Sequence, residues 1–303
     1  MNAIAAEQST TTQLRRLAAQ RSMYSEAKRI TLIIGVLVVP GVAFTSVAST
    51  AVDGLSLLAT VWSCAVEIAC VLVLEPASRR LQQSAARVQE LFDCDVLGLE
   101  WNQALAGGKP EGELVHDYYT RYIRARKSLD DFVNWYPEAV GEVPSEYARV
   151  ICQRYNSWWD AALHRRYSGY VIATMATVAV AVLAMGIVKH LALVDFLVRF
   201  AIPLSLLTMR AYRHREEHTR AHDRAESLRQ HADELWEKVL SGQLDAYQLR
   251  RESRELQNRV FCHRASSPLV PDRIYNWMRP RFQANSGATA ESMIAELKMR
   301  MRA

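Results

Sequence analysis

The chain has 303 residues, half of them hydrophobic, with a formal net charge of +5 and a pI of about 9.0. Its mean hydropathy of −0.09 would suit a soluble protein, but the average conceals segregated charge: residues 75–168 carry 12 Lys and Arg against 14 Asp and Glu, and residues 210–303 carry 18 against 13. Five cysteines (Cys64, Cys70, Cys94, Cys152 and Cys262), with no Cys-x-x-Cys among them, exclude a disulfide framework and suit a reducing compartment.

In chain order, residues 1–29 predict a cytoplasmic lead-in helix, amphipathic over 13–29, that lies in the membrane interface or extends the segment after it. Residues 30–50 and 54–74 form a first apolar pair, and 169–188 and 191–209 a second. Each is about 20 residues, the length a helix needs to cross roughly 30 Å of hydrocarbon. The turns at 51–53 and 189–190 are too short to hold a domain, so the pairs read as transmembrane hairpins spanning 30–74 and 169–209. Buried core helices would be unusually long at this size, and the first span exceeds a signal-peptide core of roughly 7–15 residues. Arg15, Arg16, Lys28, Arg29, Arg79, Arg80, Arg165, Arg166, Arg210, Arg213 and Arg215 flank the outer ends of the hairpins. The positive-inside rule then makes both termini and both large segments cytoplasmic. The net positive charge of the C-terminal part fits the same bias, or an attraction to anionic headgroups or a phosphorylated ligand.

Glu75-Pro76 predicts an interruption at the exit of the second span, with helix resuming over 77–92. A Gly-rich loop covers 106–112, and helices are expected over 114–135 and 144–167, the latter feeding the third span. Residues 210–240 continue the fourth span, a helix runs over 245–263, and two shorter helices follow on either side of Asn285-Ser286-Gly287. The expected fold class is all-α: four transmembrane helices in two hairpins, with a cytoplasmic helical sensor domain built from the inter-hairpin segment 75–168 and the C-terminal segment 210–303.

Charges inside apolar spans need a reason, since each costs on the order of 2.5–3.5 kcal/mol on insertion scales. Glu67 lies in the second span and Asp195 with Arg199, spaced i, i+4, in the fourth. They either hold the bundle together internally or line a water-filled path. Pro40 and Pro203 permit kinks in the first and fourth spans, with or without a gating role. Gly169, Ala173, Ala176, Ala179, Ala181, Ala184 and Gly186 make the third span smooth enough for close helix packing. Four helices with so few charges do not easily enclose water alone, so a homo-oligomer is expected.

His214, His218 and His222 recur on one face of the helix after the fourth span, which reads as a solvated polar face, since no carboxylate or cysteine completes a metal site there. No Ser-His-Asp order, Walker loop or Gly-rich nucleotide fingerprint is present, so neither catalysis nor a cofactor is expected. The remaining candidates for ligand chemistry are Trp101, Asn102, Trp135, Tyr136, Arg154, Asn156, Trp158, Arg264, Tyr275 and Trp277. Aromatic faces stack on bases and arginines bind phosphates, so they suit a nucleotide pocket; equally, tryptophans fill the core of a small helical domain.

Four strings resemble one bacterial family: LFDCDVLGLEWN at 91–102, NWYP at 134–137, ICQRYNSWWD at 151–160 and HRASSPLVPD at 263–272. In this order around two hairpins they are similar to the SMODS-associated four-transmembrane effectors of cyclic-oligonucleotide antiphage (CBASS) systems. The resemblance implies a multi-pass protein of the bacterial inner membrane. Its cytoplasmic part would sense a cyclic di- or trinucleotide rather than a DNA or RNA polymer. Its membrane part would then permeabilise the lipid bilayer and abort infection. The alternative is a membrane scaffold or receptor, without a pore, that recruits a partner through its cytoplasmic helices.

Overall fold

Two helices run without a break from a polar body into apolar sequence, and the rest of the fold packs around their polar ends. The computed structural model describes residues 2–51, 55–125, 128–188, 192, 194 and 202–302, and among the described residues there is no strand. A first turn, α1 (Ile4–Glu7), leads into α2 (Thr11–Ala51), which is continuous for 41 residues. The lead-in segment is therefore the base of a longer helix. It does not lie flat on the interface, because Leu17, Ala18, Ala19, Met23 and Ala27 are fully buried. Three of these five are alanine, which lets the neighbouring helices approach closely.

After α3 (Leu55–Ala69), one π turn at Cys70–Leu74 passes directly into α4 (Glu75–Leu97). The Glu75 N–H donates to the Cys70 carbonyl five residues back. The expected interruption at Glu75-Pro76 is thus a widened turn in a continuing helix, which accommodates a proline that has no N–H to give. Helix α4 stops at Gly98, whose φ of +63° allows the Leu99 N–H to close on the Cys94 carbonyl at 2.8 Å. Short α5 (Gln103–Ala106) and then α6 (Gly112–Arg124) follow.

The helix expected over 114–135 ends early. The Ser128 hydroxyl accepts the Asp130 N–H at 3.1 Å, and Tyr122 donates to the Ser128 carbonyl at 3.3 Å. These local bonds compete with helix. The chain then makes two 3₁₀ turns, Asp130–Phe132 and Glu138–Glu142, with Asn134 left-handed between them.

Helix α7 (Ser145–Val188) is the second long element, and α8 (Ile202–Leu240) runs antiparallel to it: Tyr167 meets His214, His164 meets His218, and Arg154 meets Asp233. A reciprocal capping box of Asp245 and Gln248 starts α9 (Ala246–Ser266). Finally α10 (Asp272–Arg302) is one helix where two were expected. The Ser286 hydroxyl, which would favour a break, bonds back to the Phe282 carbonyl at 2.7 Å, and Ala290, Met293, Ile294 and Leu297 then bury the far half.

One hydrophobic core joins Leu17 of α2, Phe92 of α4, Ile151 of α7, Leu235 of α8, Leu256 of α9 and Ile294 of α10. Apolar side chains beyond that body are exposed instead, among them Leu32, Trp62, Leu72, Val180, Ile187 and Val188. Among the described residues one helix, α7, is long and apolar enough to cross a membrane. Asp195, Arg199 and both hairpin turns (52–53 and 189–190) lie outside the described residues. Pro40 lies within α2 and Pro203 in the first turn of α8.

A polar spine runs through the core. The Asp93 carboxylate, fully buried, accepts from Arg264, from the Tyr136 hydroxyl at 2.7 Å and from Gln257 at 3.0 Å. Glu90, one turn earlier, accepts from Arg254 at 2.6 Å and from Gln257 at 2.8 Å. Removing one partner of such a pair strands the other charge away from water. Asp93→Ala should therefore cost about 3–5 kcal/mol, whereas Asp95→Ala, which breaks a more exposed pair with Arg16, should cost at most about 1 kcal/mol. Chemical denaturation of the detergent-solubilised protein, followed by its helical signal, compares the two.

Candidate functional site

The polar ends of α2, α7 and α10 each bring a helical stripe of side chains to one cavity of about 150 Å³. From α2 come Arg21, Tyr24 and Lys28, spaced i, i+3, i+7; from α7 come Asn156, Trp159, Asp160 and His164; from α10 come Tyr275, Arg279 and Gln283, spaced i, i+4, i+8. Gln82 and Gln89 of α4, with His263 and Arg264 of α9, close the inner wall. Gln82 donates to the Arg264 carbonyl at 3.0 Å and the Ser267 carbonyl at 2.6 Å, which fixes how α9 ends beside the cavity.

The four cations here differ in what they already bind. Arg264 is held by Asp93; burial opposes its charge, but the carboxylates of Asp93 and Asp160 keep its pKa above the ordinary arginine value. Lys28 meets Asp272 at 2.7 Å, and burial lowers its pKa despite that partner. Arg279 meets the carboxylate and carbonyl of Asp131. Arg21 has no carboxylate partner among the described residues; its guanidinium lies 4.0 Å from the centre of the Tyr275 ring. The Tyr275 ring in turn lies 4.9 Å from that of Trp159. An aromatic platform beside a guanidinium that makes no direct ion pair among the described residues is chemistry for a flat ring bearing an anionic group.

Of the ten ligand candidates in the sequence, this cavity gathers Trp135, Asn156, Arg264 and Tyr275. The others lie elsewhere. The Trp101 indole donates to the Gly107 carbonyl at 2.8 Å and shapes the loop. Tyr136 is fully buried in the polar spine, and Arg154 is paired with Asp233. Trp158 packs edge-on to Phe282, and Trp277 is exposed near Tyr170. Asn102 caps α5 and borders a wider groove of about 470 Å³ with Arg224, Asn258 and Arg259. No Trp, Tyr or Phe lines that groove, so it lacks the paired aromatic rings of the cavity.

Trp159 and Asp160 lie in the string at 151–160 that carries the resemblance, whereas sequence reading missed Arg21, Lys28 and Arg279. Lys28 reads as a topology-setting charge before an apolar span, and Arg21 lies two turns earlier on the same helix. Their signal was the shared face with Tyr24, legible only once α2 is known to be buried on that side.

Of the membrane candidates, Glu67 is exposed and lies 3.9 Å from Arg210, across from α3 to α8. The histidines of α8 are not a solvated face. His218 is fully buried, its Nδ1 2.8 Å from Nδ1 of His164, while His214 meets the Tyr167 hydroxyl at 3.1 Å. Burial against α7 removes the solvent that the charge-rich sequence suggested. It also lowers the imidazole pKa values, to about 4 for His164 and His263 and, with His164 and His214 adding to the effect, to about 2 for His218. Burial raises the carboxyl pKa of Asp160, with Arg264 opposing.

A sequence family described as "SMODS-associating 4TM effector domain" matches residues 2–293. A protein of Bacillus cereus (strain VD146) named a probable CBASS effector molecule is 23% identical over 201 residues, 65% of this chain. The matched region spans 64% of that relative's length. No solved structure matches.

The buried histidines set a pH dependence. Their folded pKa values lie below the ordinary imidazole value near 6.5, so below that pH the unfolded chain binds more protons. Their contribution to stability is whole above about 6.5 and is lost as pH falls towards 4, and for His218 towards 2. The unfolding midpoint should drop between about pH 7 and pH 5, and His218→Gln should make that drop smaller than in wild type. An equal drop in both proteins would remove His218 from the account.

Proposed function

Because the chain belongs to the family of SMODS-associating 4TM effector domains, we propose that it is a membrane effector of CBASS-type antiphage defence. In this reading the body binds a cyclic di- or trinucleotide on the cytoplasmic side, and binding permeabilises the inner membrane. The apolar segments 30–50, 54–74, 169–188 and 191–209 are the four membrane helices, both termini are cytoplasmic, and several subunits assemble around the breach.

One observation carries the reading. The cavity is built on α2 and α7, the same unbroken helices that continue to Ala51 and Val188. A ligand that stacks on Tyr275 and Trp159 and meets Arg21 pulls directly on two helices that enter the apolar layer, with no flexible linker between site and membrane. The exposed apolar side chains at 32–33, 61–73 and 172–188 support contact with lipid, since a soluble protein rarely leaves so large an apolar belt in water. Glu67 and Arg210 place an ion pair at the edge of that belt. This suits a polar path or a structural tie.

The test is dye leakage from proteoliposomes holding the full chain, with cyclic di- and trinucleotides added outside. Leakage with at least one of them is expected. Arg21→Ala should require about tenfold more ligand, the loss of one charge-assisted contact. Folded, inserted protein that stays tight with every ring defeats the pore reading. Glu67→Gln then separates pore from scaffold: it should change leakage rate or ion preference if the pair borders the path, whereas a scaffold retains cell toxicity unchanged in this variant.

A further inference from the structure

We propose that Asp160 selects the base of the ligand, so that the ring bound in this cavity presents a guanine to it. The inference rests on the reading that the cavity receives the messenger.

Asp160 supplies the one carboxylate among the side chains lining the cavity, which otherwise offers cations, amides and aromatic rings. It follows Trp159, half of the stacking platform, and lies one turn beyond Asn156, so a base stacked on the platform has an edge within its reach. Among the described residues no hydrogen-bond donor meets it. His263 Nε2 is 3.9 Å away, beyond hydrogen-bond range, and the nearby Arg264 is engaged by Asp93. The side chain is 30% exposed although it lies deep in the body, because the cavity opens beside it. This is an acceptor with its partners missing, in surroundings that exact a cost for that.

In its ionised form, which Arg264 favours against the effect of burial, the carboxylate only accepts, through two oxygens side by side. The Watson–Crick edge of guanine offers N1–H and the 2-amino N–H in the matching arrangement. Adenine offers one N6–H, and its N1 lone pair would face the second oxygen. A site built around donors on the ligand rejects a ligand that lacks them, because the buried group is then left unpaired. The volume of about 150 Å³ is below the roughly 300–1,000 Å³ of a site that encloses a whole drug-sized ligand. One nucleotide of the ring enters, base on Trp159 and Tyr275 and phosphate against Arg21, while the rest stays at the mouth.

The experiment is calorimetric titration of the detergent-solubilised full chain with cyclic di-GMP, cyclic GMP-AMP, cyclic di-AMP and cyclic di-IMP, the last keeping N1–H but lacking the 2-amino group. Guanine-bearing rings should bind about 10–100-fold more tightly than cyclic di-AMP, with cyclic di-IMP between. Asp160→Asn is near-isosteric, and its folding is verified by the helical signal and melting point. It should remove the preference by weakening guanine-bearing rings alone. If cyclic di-AMP binds best, or if Asp160→Asn keeps the guanine preference, base selection by Asp160 is wrong while the messenger reading survives. If no ring binds the folded chain, the messenger reading itself falls.

Discussion

A single buried ion pair, Asp93 with Arg264, holds this molecule in register. Asp93 comes from α4, Arg264 from the last turns of α9, and the Tyr136 hydroxyl that also binds Asp93 comes from the turn-rich segment before α7. Asn156 of α7 then donates to that hydroxyl at 2.8 Å. Segments 43 to 171 residues apart in sequence are thereby fixed around one carboxylate. An apolar core of the same volume would tolerate sliding of one helix past another; a fully partnered charge does not. The cavity wall needs that precision, because Arg264 and Asn156 belong to both the spine and the cavity.

The four strings that carry the family resemblance have a common physical reason here. They supply Asp93, Tyr136, Asn156 and Arg264, one residue from each, to the same network. In the sequence they look like unrelated fragments rich in aromatic and polar residues. Their spacing makes sense only as the meeting of four elements. The same network explains why Tyr136 is no surface for stacking: its hydroxyl is spent on Asp93, and burial with that carboxylate beside it drives its pKa well up.

Much of the fold was legible because helices announce themselves locally. The apolar lengths, the helix starting at 245 and the loop at 107–111 follow from neighbours in sequence, although the helix expected to end at 92 runs on to Leu97. Where legibility failed, a side chain's role depended on a distant partner. Pro76 and Ser286 are breakers by habit; the first is absorbed by a π turn and the second by a bond to Phe282 together with burial of the next two turns. Tyr136 and Trp158 fill the interior, and nothing local separates Trp158 from its neighbour Trp159: both rings pack edge-on to Phe282, and only Trp159 also lines the cavity. Adjacent positions on a helix point about 100° apart, so only one of the two reaches the cavity, and which one it is depends on how α7 is seated in the fold.

The π turn at Cys70–Leu74 has a further consequence. A π turn is an α-helix carrying one inserted residue, and each residue rotates a helix by about 100°. The face that α3 turns outward is therefore set independently of the face that α4 turns towards the polar spine, although the two are one rod to the eye. Deleting one residue between 70 and 74 would leave a continuous helix with a different azimuth, a change of aim without a change of length. In that sense the turn is a phase shifter between two environments: the aqueous body keeps its register on Asp93, and the apolar end is free to have evolved another.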